Sequence, residues 1–242
     1  MLDRSDRAHV AWDIETTGFG WADEITTSGF WFPGGHATVI VNNGPHTTDS
    51  DALENSLNNG NTANTRVRTV DDEPGLLSEM QRVLFDRFDK DYDKLIAYNA
   101  DSWKGGFDLP FTRTRCIRHG IDWVFNDVLF TDLWEPVVKR LNTTHAEYGT
   151  SVDVNTLTGA YGILLGQNHR ASTLLDEHED HVWYHKSPYD PFDDSKSAVT
   201  HYHSGELLSV CEHNLADIHR TWELGELVRT FVSPKDITEK KL

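Results

Sequence analysis

The sequence has little cysteine and no long hydrophobic run. Its 242 residues include two cysteines, Cys116 and Cys211, whose number and spacing match neither a disulfide framework nor a zinc-binding motif. The first residues are charged rather than apolar, and no apolar stretch approaches the roughly 20 residues that a membrane-spanning helix needs. We therefore expect a cytoplasmic protein without a membrane partner.

Basic residues are also scarce. The chain has 22 Lys and Arg against 39 Asp and Glu, for a formal net charge of −17. At low salt this charge opposes binding to a polyanion such as a nucleic acid. At about 1 M salt the Debye length is only roughly 3 Å, so distant charges are screened. Since Asp outnumbers Glu and Lys is rare, we hypothesise that the protein is halophilic and works in concentrated salt.

The apolar pattern predicts a single α/β domain over residues 1–242. Gly34-Gly35 predicts a hairpin between the second and third strands, so the first three strands should form an antiparallel meander. Two later apolar runs add strands that alternate with helices, giving a five-stranded mixed sheet flanked by helices. The predicted strands are 9–12, 25–33, 36–42, 95–98 and 128–133.

Between these strands the sequence predicts helices and two polar segments. Residues 43–64, rich in Asn, Thr, Asp and Gly, are interpreted as a polar surface insertion. Residues 169–204 are polar and aromatic and are interpreted as a loop-rich segment. The predicted helices are 52–57, one beginning at Glu73, 108–118 and 205–231, with a further edge strand at 66–70. Residues 152–165 are predicted to be helical or to form a helix and a turn.

Two carboxylates one residue apart lie at the end of the first predicted strand. Alternate side chains of a strand share a face, so Asp13 and Glu15 in VAWDIETTG project together while Ile14 packs on the other side. Two carboxylates this close repel each other, and a hard divalent ion such as Mg²⁺ or Mn²⁺ would relieve that repulsion. The alternative is a solvated pair at a strand end, so the metal hypothesis needs further ligands.

Further polar residues occur in two later motifs. The segment LIAYNADSWKGGFDLPFTRTR contains an apolar strand, then Asn99, then Phe107 and Asp108 at the start of a predicted helix. Near the C-terminus, CEHNLADIHRTWELGEL places Asp217 on an amphipathic helix with His213 four positions before it. Residues four apart share a helix face, so these two side chains should lie together.

With the Asp-x-Glu pair, these motifs resemble in order and separation the DEDD superfamily of 3′–5′ exonucleases, over roughly residues 8–228. The resemblance implies a ribonuclease H-like fold and hydrolysis of phosphodiester bonds at 3′ ends of single-stranded or frayed DNA, or of RNA. It also implies two divalent ions, Mg²⁺ or Mn²⁺, which activate water and stabilise the leaving oxygen. The ligands that the resemblance implies are Asp13, Glu15, Asp108 and Asp217.

His213 is the predicted general base, because an imidazole can orient or deprotonate the attacking water at neutral pH. The chain departs here from the family. One subgroup has Tyr with three intervening residues before the last Asp and the other has His with four, whereas this chain has His with the tyrosine spacing. The alternative role for His213 is packing. A second departure is the seven-residue interval between Asn99 and Phe107.

The resemblance also implies substrate contacts around the first motif. Small residues in the turn after Glu15 would let the backbone approach the 3′-terminal nucleotide. Phe19 and Trp21 could stack on a terminal base, although packing against the sheet is an equal alternative. The predicted substrate-binding residues are Thr16, Thr17, Gly18, Phe19, Asn99 and Phe107.

Two other functions fit the same sequence. The first is a catalytically silent nucleic-acid-binding module of the same fold, and the second is a ribonuclease H-like endonuclease. Proofreading or repair would need a polymerase or repair partner that the sequence does not identify. A structural zinc site is disfavoured, because a late group of histidines follows no ligand motif. That group comprises His178, His181, His185, His201 and His203.

Overall fold

A computed structural model describes residues 7–59, 64–147, 150–166, 189–192 and 195–242. The strands are β1 (Ala8–Thr16), β2 (Ile25–Phe32), β3 (His36–Asn42), β4 (Asn64–Val70), β5 (Asp93–Ala97), β6 (Leu129–Asp132), β7 (Thr144–Glu147), β8 (Thr150–Asp153) and β9 (Lys240–Lys241). The helices are α1 (Ser50–Asn58), α2 (Glu73–Arg87), α3 (Asp108–His119), α4 (Trp134–Arg140), α5 (Leu157–Leu165), α6 (Ser195–Ser204) and α7 (Leu207–Phe231).

Seven strands form one mixed sheet in the order β4-β3-β2-β1-β5-β6-β9. Strands β1, β2 and β3 form the predicted antiparallel meander, and β5 and β6 follow in parallel with β1. The sheet therefore has seven strands rather than the predicted five. The predicted edge strand joins the sheet as β4, parallel to β3, and the two residues of β9 are too few to leave an apolar pattern.

The alternation of side chains in β1 divides the core into two layers. Val10 and Trp12 pack on one face with the apolar side of α2, while Ala11 packs on the other face with α7. Asp13 and Glu15 continue the Ala11 series, because side chains two apart in a strand share a face. The carboxylates of β1 therefore face helix α7.

Two glycines let α7 lie close to the sheet. Gly29 pairs with Asp13 across β1 and β2, and a Cβ at Gly29 would lie 2.1 Å from Asn214 Oδ1. A Cβ at Gly225 would lie 2.4 Å from Ile96 Cδ1. The absence of side chains at these positions therefore sets the spacing between helix and sheet.

Parts of the chain differ from the sequence prediction. The segment 152–165, predicted as helix or helix and turn, begins within strand β8, and its helical part is α5. Thr156 explains the late start, because its Oγ1 accepts the N–H of Gly159 at 3.2 Å and caps α5. Helix α6 occupies the end of the segment 169–204, and α1 lies within 43–64. None of the helices that the structure describes is both long and apolar enough to cross a lipid bilayer.

Candidate active site

Strand β1 carries Asp13 and Glu15 near its carboxyl end. The pairing register between β1 and β2 shifts between Glu15 and Thr16, so the regular strand ends just beyond the second carboxylate. Glu15 is buried and Asp13 is partly buried, both against α7. The alternation that predicted a shared face for these two side chains therefore places them between the sheet and the last long helix.

Helix α7 supplies His213 and Asp217 to the same place. His213 Nε2 lies 3.7 Å from Glu15 Oε1 and 3.8 Å from Asp217 Oδ2. One oxygen or nitrogen atom from each of these three residues lies within 4.8 Å of the other two. His213 is only 4% exposed, and its Nε2 has no hydrogen-bond partner among the described residues. The unpaired nitrogen therefore points at two carboxylates.

Asp108 is the first residue of α3, and the preceding turn is held from the end of β6. Asp132 accepts the backbone N–H of Asn99 at 2.9 Å and that of Asp101 at 2.8 Å. Asn99 has φ 60° and Gly106 has φ 65°, and a Cβ on Gly106 would lie 2.1 Å from the backbone nitrogen of Asp101. The seven-residue interval after Asn99 is thus a defined turn that leads into α3.

Burial raises the pKa values of all four carboxylates, and repulsion from the other carboxylates adds to this effect for Asp13, Glu15 and Asp108. Burial and then the charges of Glu15, Asp108 and Asp217 raise the pKa of Asp13 well above its usual range. The pKa of Glu15 is raised well above its usual range by burial and then by Asp217 and Asp108. Burial, Asp132 and Asp217 raise the pKa of Asp108 to about 8. Burial also raises the pKa of Asp217, against the opposing effect of nearby cations. The four carboxyl groups therefore share one electrostatic environment.

This set of side chains fits a divalent metal ion. Several buried carboxylates can ionise together only where positive charge offsets their repulsion. Divalent ions such as Mg²⁺ and Mn²⁺ take carboxylate oxygens as ligands, and Mn²⁺ also takes imidazole nitrogen. The residues that could hold such ions are Asp13, Glu15, Asp108, His213 and Asp217.

Asp190 and Arg220, which the sequence did not single out, form a second layer behind His213. Asp190 Oδ1 accepts a hydrogen bond from His213 Nδ1 at 2.8 Å. Arg220 Nη1 donates to Asp190 Oδ2 at 2.5 Å and to Asp217 Oδ1 at 2.7 Å. Burial lowers the pKa of His213, but the hydrogen bond to Asp190 and the charge of Asp217 raise it above its usual value overall. These contacts fix the ring orientation of His213.

Asn214 and Asp132 are two further site residues that sequence reasoning missed. Asn214 Nδ2 donates to Asp13 Oδ2 at 3.0 Å. Asn214 and Arg220 each lie three positions from Asp217, so helical spacing along α7 could have predicted that they share its face. Asp132 lies at the end of β6, which is parallel to β5, and its position at a strand end could have predicted its place near the site. Asp190 lies in a polar stretch without a motif, and nothing in the sequence points to it.

The loop after β1 contains most of the predicted substrate-binding residues. Thr17 Oγ1 donates to Asp23 Oδ1 at 3.2 Å, and the N–H of Gly20 donates to Asp23 Oδ2 at 2.6 Å. Phe19 is 76% exposed, and its ring meets the edge of the Phe107 ring with centroids 5.1 Å apart. Phe107 directly precedes Asp108, so this loop borders the carboxylates. The predicted residues in the loop are Thr16, Thr17, Gly18 and Phe19.

A buried ion pair anchors this loop. Glu73 accepts the N–H of Ile25 at 2.8 Å and hydrogen bonds from Arg115 Nε at 2.7 and 2.8 Å. Arg115 and Arg118 each donate to the carbonyl of Trp21 at 3.2 Å. The Arg118 guanidinium also lies 5.2 Å from the centre of the Trp21 ring. Trp21 is 78% exposed. Helices α2 and α3 therefore hold the loop in place.

The late histidines form no zinc site in the part of the chain that the structure describes. His201 and His203 lie on α6, and His201 Nδ1 is 2.6 Å from Glu206 Oε2. Among described residues, the group of three or more metal-binding side chains brought together is Glu15, His213 and Asp217. The remaining members of the histidine group, His178, His181 and His185, lie outside the described residues.

Comparison with known proteins gives no assignment. No protein-family model matches the chain, and no curated protein matches it significantly.

Proposed function

We propose that the protein is a metal-dependent 3′–5′ exonuclease that hydrolyses phosphodiester bonds at the 3′ ends of single-stranded or frayed DNA or RNA. The observation that carries the proposal is the meeting of four carboxylates from three distant segments. Asp13 and Glu15 come from β1, Asp108 from the start of α3 and Asp217 from α7. Such a buried acidic group destabilises a protein unless it binds cations.

The strand order supports a ribonuclease H-like core as part of the proposal. The central strands run β3-β2-β1-β5-β6, an antiparallel meander followed by two parallel strands. The carboxylates lie at the carboxyl end of the central strand β1 and are covered by the last long helix. Strands β4 and β9 extend the two edges of the sheet without reaching this site.

The side chains of the site have separate roles in the proposal. Two bound divalent ions would activate the attacking water and stabilise the departing 3′ oxygen. Asp13, Glu15, Asp108 and Asp217 would hold these ions. Asn214 orients Asp13 through the hydrogen bond from its amide, at 3.0 Å. This bond keeps the carboxylate directed into the site.

The exposed loop aromatics are proposed to bind the 3′-terminal bases. A net charge of −17 opposes contacts with phosphates, whereas stacking of bases on aromatic rings depends less on charge. Phe19 and Trp21 are exposed large side chains on the loop that borders Asp108. Molar salt, which the acidic composition suggests as the working condition, would screen the remaining repulsion.

End-labelled oligonucleotides test the proposal. Purified protein should shorten single-stranded DNA or RNA from the 3′ end with Mn²⁺ or Mg²⁺, and EDTA should stop the reaction. Asp13→Ala should reduce cleavage by at least about 10²-fold while the fold is retained. Asp51→Ala, on the surface of α1, is the matched control and should cleave as wild type does. Cleavage rates measured in low and in molar salt would test the halophilic hypothesis, which predicts faster cleavage in molar salt.

The same assay separates the two rival functions. A silent nucleic-acid-binding module would retain labelled strands on a filter without shortening them. An endonuclease would cut a circular single strand, which has no 3′ end. Equal cleavage by wild type and Asp13→Ala would contradict the proposed site.

A further inference from the structure

We infer that His213 is a metal ligand through Nε2, and that Glu15, His213 and Asp217 form a mixed nitrogen and oxygen site selective for a first-row transition ion such as Mn²⁺ over Mg²⁺. The inference rests on the proposed function only in taking this site to hold a metal ion. It replaces the general-base role that the sequence predicted for His213.

The spacing of the three side chains carries the inference. Atoms that bind one ion with bonds of about 2.0–2.2 Å lie no more than about 4.4 Å apart. Both distances from His213 meet this limit, because His213 Nε2 is 3.7 Å from Glu15 Oε1 and 3.8 Å from Asp217 Oδ2. One ligand atom from each of the three residues lies within 4.8 Å of the other two, so a small shift of the carboxylates would complete the set. His213 and Asp217 also lie four positions apart on α7, the spacing by which one helix face presents two ligands to one ion.

The environment of His213 is that of a ligating imidazole. Its Nδ1 donates to Asp190 at 2.8 Å, which directs Nε2 to the other carboxylates. A carboxylate that accepts the remote N–H of a histidine ligand fixes the ring and makes the ligating nitrogen more basic. Phe192 packs against the imidazole with ring centroids 5.2 Å apart, and Arg220 holds Asp190 from behind. The ring is therefore held in one orientation.

The buried Nε2 atom of His213 also indicates that this site binds a ligand. It is buried and has no hydrogen-bond partner among the described residues, although it faces two acidic side chains. A buried nitrogen of this kind costs stability unless it gains a partner. An ion held jointly with Glu15 and Asp217 would be that partner, and the nitrogen could then no longer accept a proton from water.

The donor types determine which ion the site prefers. Imidazole nitrogen binds Mn²⁺, Co²⁺ and Zn²⁺ better than it binds Mg²⁺, which prefers oxygen ligands. A site of two carboxylates and one imidazole should therefore favour the transition ions. Replacing His213 should remove most of this preference and leave oxygen ligands that still bind Mg²⁺.

Electron spin-echo envelope modulation of the protein loaded with Mn²⁺ alone tests the inference. Wild type should show coupling between the electron spin and a directly bound imidazole nitrogen. His213→Ala should lose this coupling, and His36→Ala, at the exposed start of β3, should keep it. Bound Mn²⁺ without nitrogen coupling in wild type would overturn the inference even if His213→Ala did not fold.

Calorimetric titration with Mn²⁺ and Mg²⁺ is the second measurement. Wild type should bind Mn²⁺ more tightly than Mg²⁺, and Asp190→Ala should weaken Mn²⁺ binding by roughly 10–100-fold by releasing the ring. Equal affinities for the two ions in wild type, or no binding of Mn²⁺, would overturn the inference. Nitrogen coupling without cleavage of any nucleic acid would instead refute the exonuclease and leave the histidine ligand standing.

Discussion

Replacing Gly29 with alanine should destabilise the protein, although alanine normally suits a strand better than glycine does. The new Cβ would lie 2.1 Å from Asn214 Oδ1 and 3.0 Å from Ile218 Cγ2. Ordinary contact between such atoms is at about 3.5–4.0 Å, so either α7 must move or the Asn214 side chain must leave. If the side chain leaves, the hydrogen bond from Asn214 to Asp13 is lost.

The size of the loss depends on which of these changes occurs. Overpacking a close contact costs about 1–3 kcal/mol, and losing the hydrogen bond between Asn214 and Asp13 costs about 0.5–1.5 kcal/mol. We therefore expect Gly29→Ala to lower the free energy of unfolding by about 1–3 kcal/mol. Urea titration followed by circular dichroism would show this as a lower midpoint.

A matched control and a second variant make the test specific. Gly162 lies in α5, and a Cβ there would have nothing within 4 Å, so Gly162→Ala should stabilise by up to about 1 kcal/mol. Combining Gly29→Ala with Asn214→Ala should cost less than the sum of the two single changes. A Gly29→Ala protein within about 0.5 kcal/mol of wild type would refute the close-approach argument.

Three further changes test other contacts. Arg115→Leu should cost about 3–5 kcal/mol in urea titrations, because it breaks a buried ion pair and leaves Glu73 with only His119 and the N–H of Ile25 as partners. Replacing both Arg115 and Glu73 by apolar residues should recover part of this loss, and an additive double variant would contradict this. Burial raises the pKa of Glu223 from 4.5 to about 7, so stability present below pH 4.5 is lost as the pH rises through 7. Glu223→Gln should therefore be about 3 kcal/mol more stable than wild type at about pH 8 and no more stable at about pH 4, and equal stabilities at the higher pH would exclude the shift. Phe19→Ala should weaken binding of single strands by about 1–3 kcal/mol in fluorescence titrations, while Phe85→Ala, 90% exposed on α2, should have no effect; equal losses would remove the stacking role.

The sequence predicted the parts of the fold that local periodicity controls. The meander follows from three apolar runs and Gly34-Gly35, and α2 follows from its apolar stripe. Strand β9 was missed because two residues carry no period. Strand β8 was missed because Thr156, whose side chain caps α5, does not by itself reveal in the sequence where the helix begins.

The candidate site divides in the same way. Asp13 and Glu15 could be paired from strand alternation, and His213 could be paired with Asp217 from helical spacing. The two pairs meet because α7 approaches the sheet closely at Gly29. No local sequence pattern predicts this approach. The role of Asp190 could not be predicted from the sequence, because Asp190 lies 23 residues from His213 and no helical or strand period relates the two.

The pairing of β1 with α7 also determines when the site can exist during synthesis. Asn214 and Asp13, which share a hydrogen bond, are 201 residues apart in the chain. At about 5–20 residues per second, a ribosome completes the stretch between them in roughly 10–40 s. The β1 carboxylates are therefore made long before the helix that covers them, which begins only at Leu207. A nascent chain that stops before α7 would lack His213 and Asp217, so the proposed metal site would form only after this helix has been made.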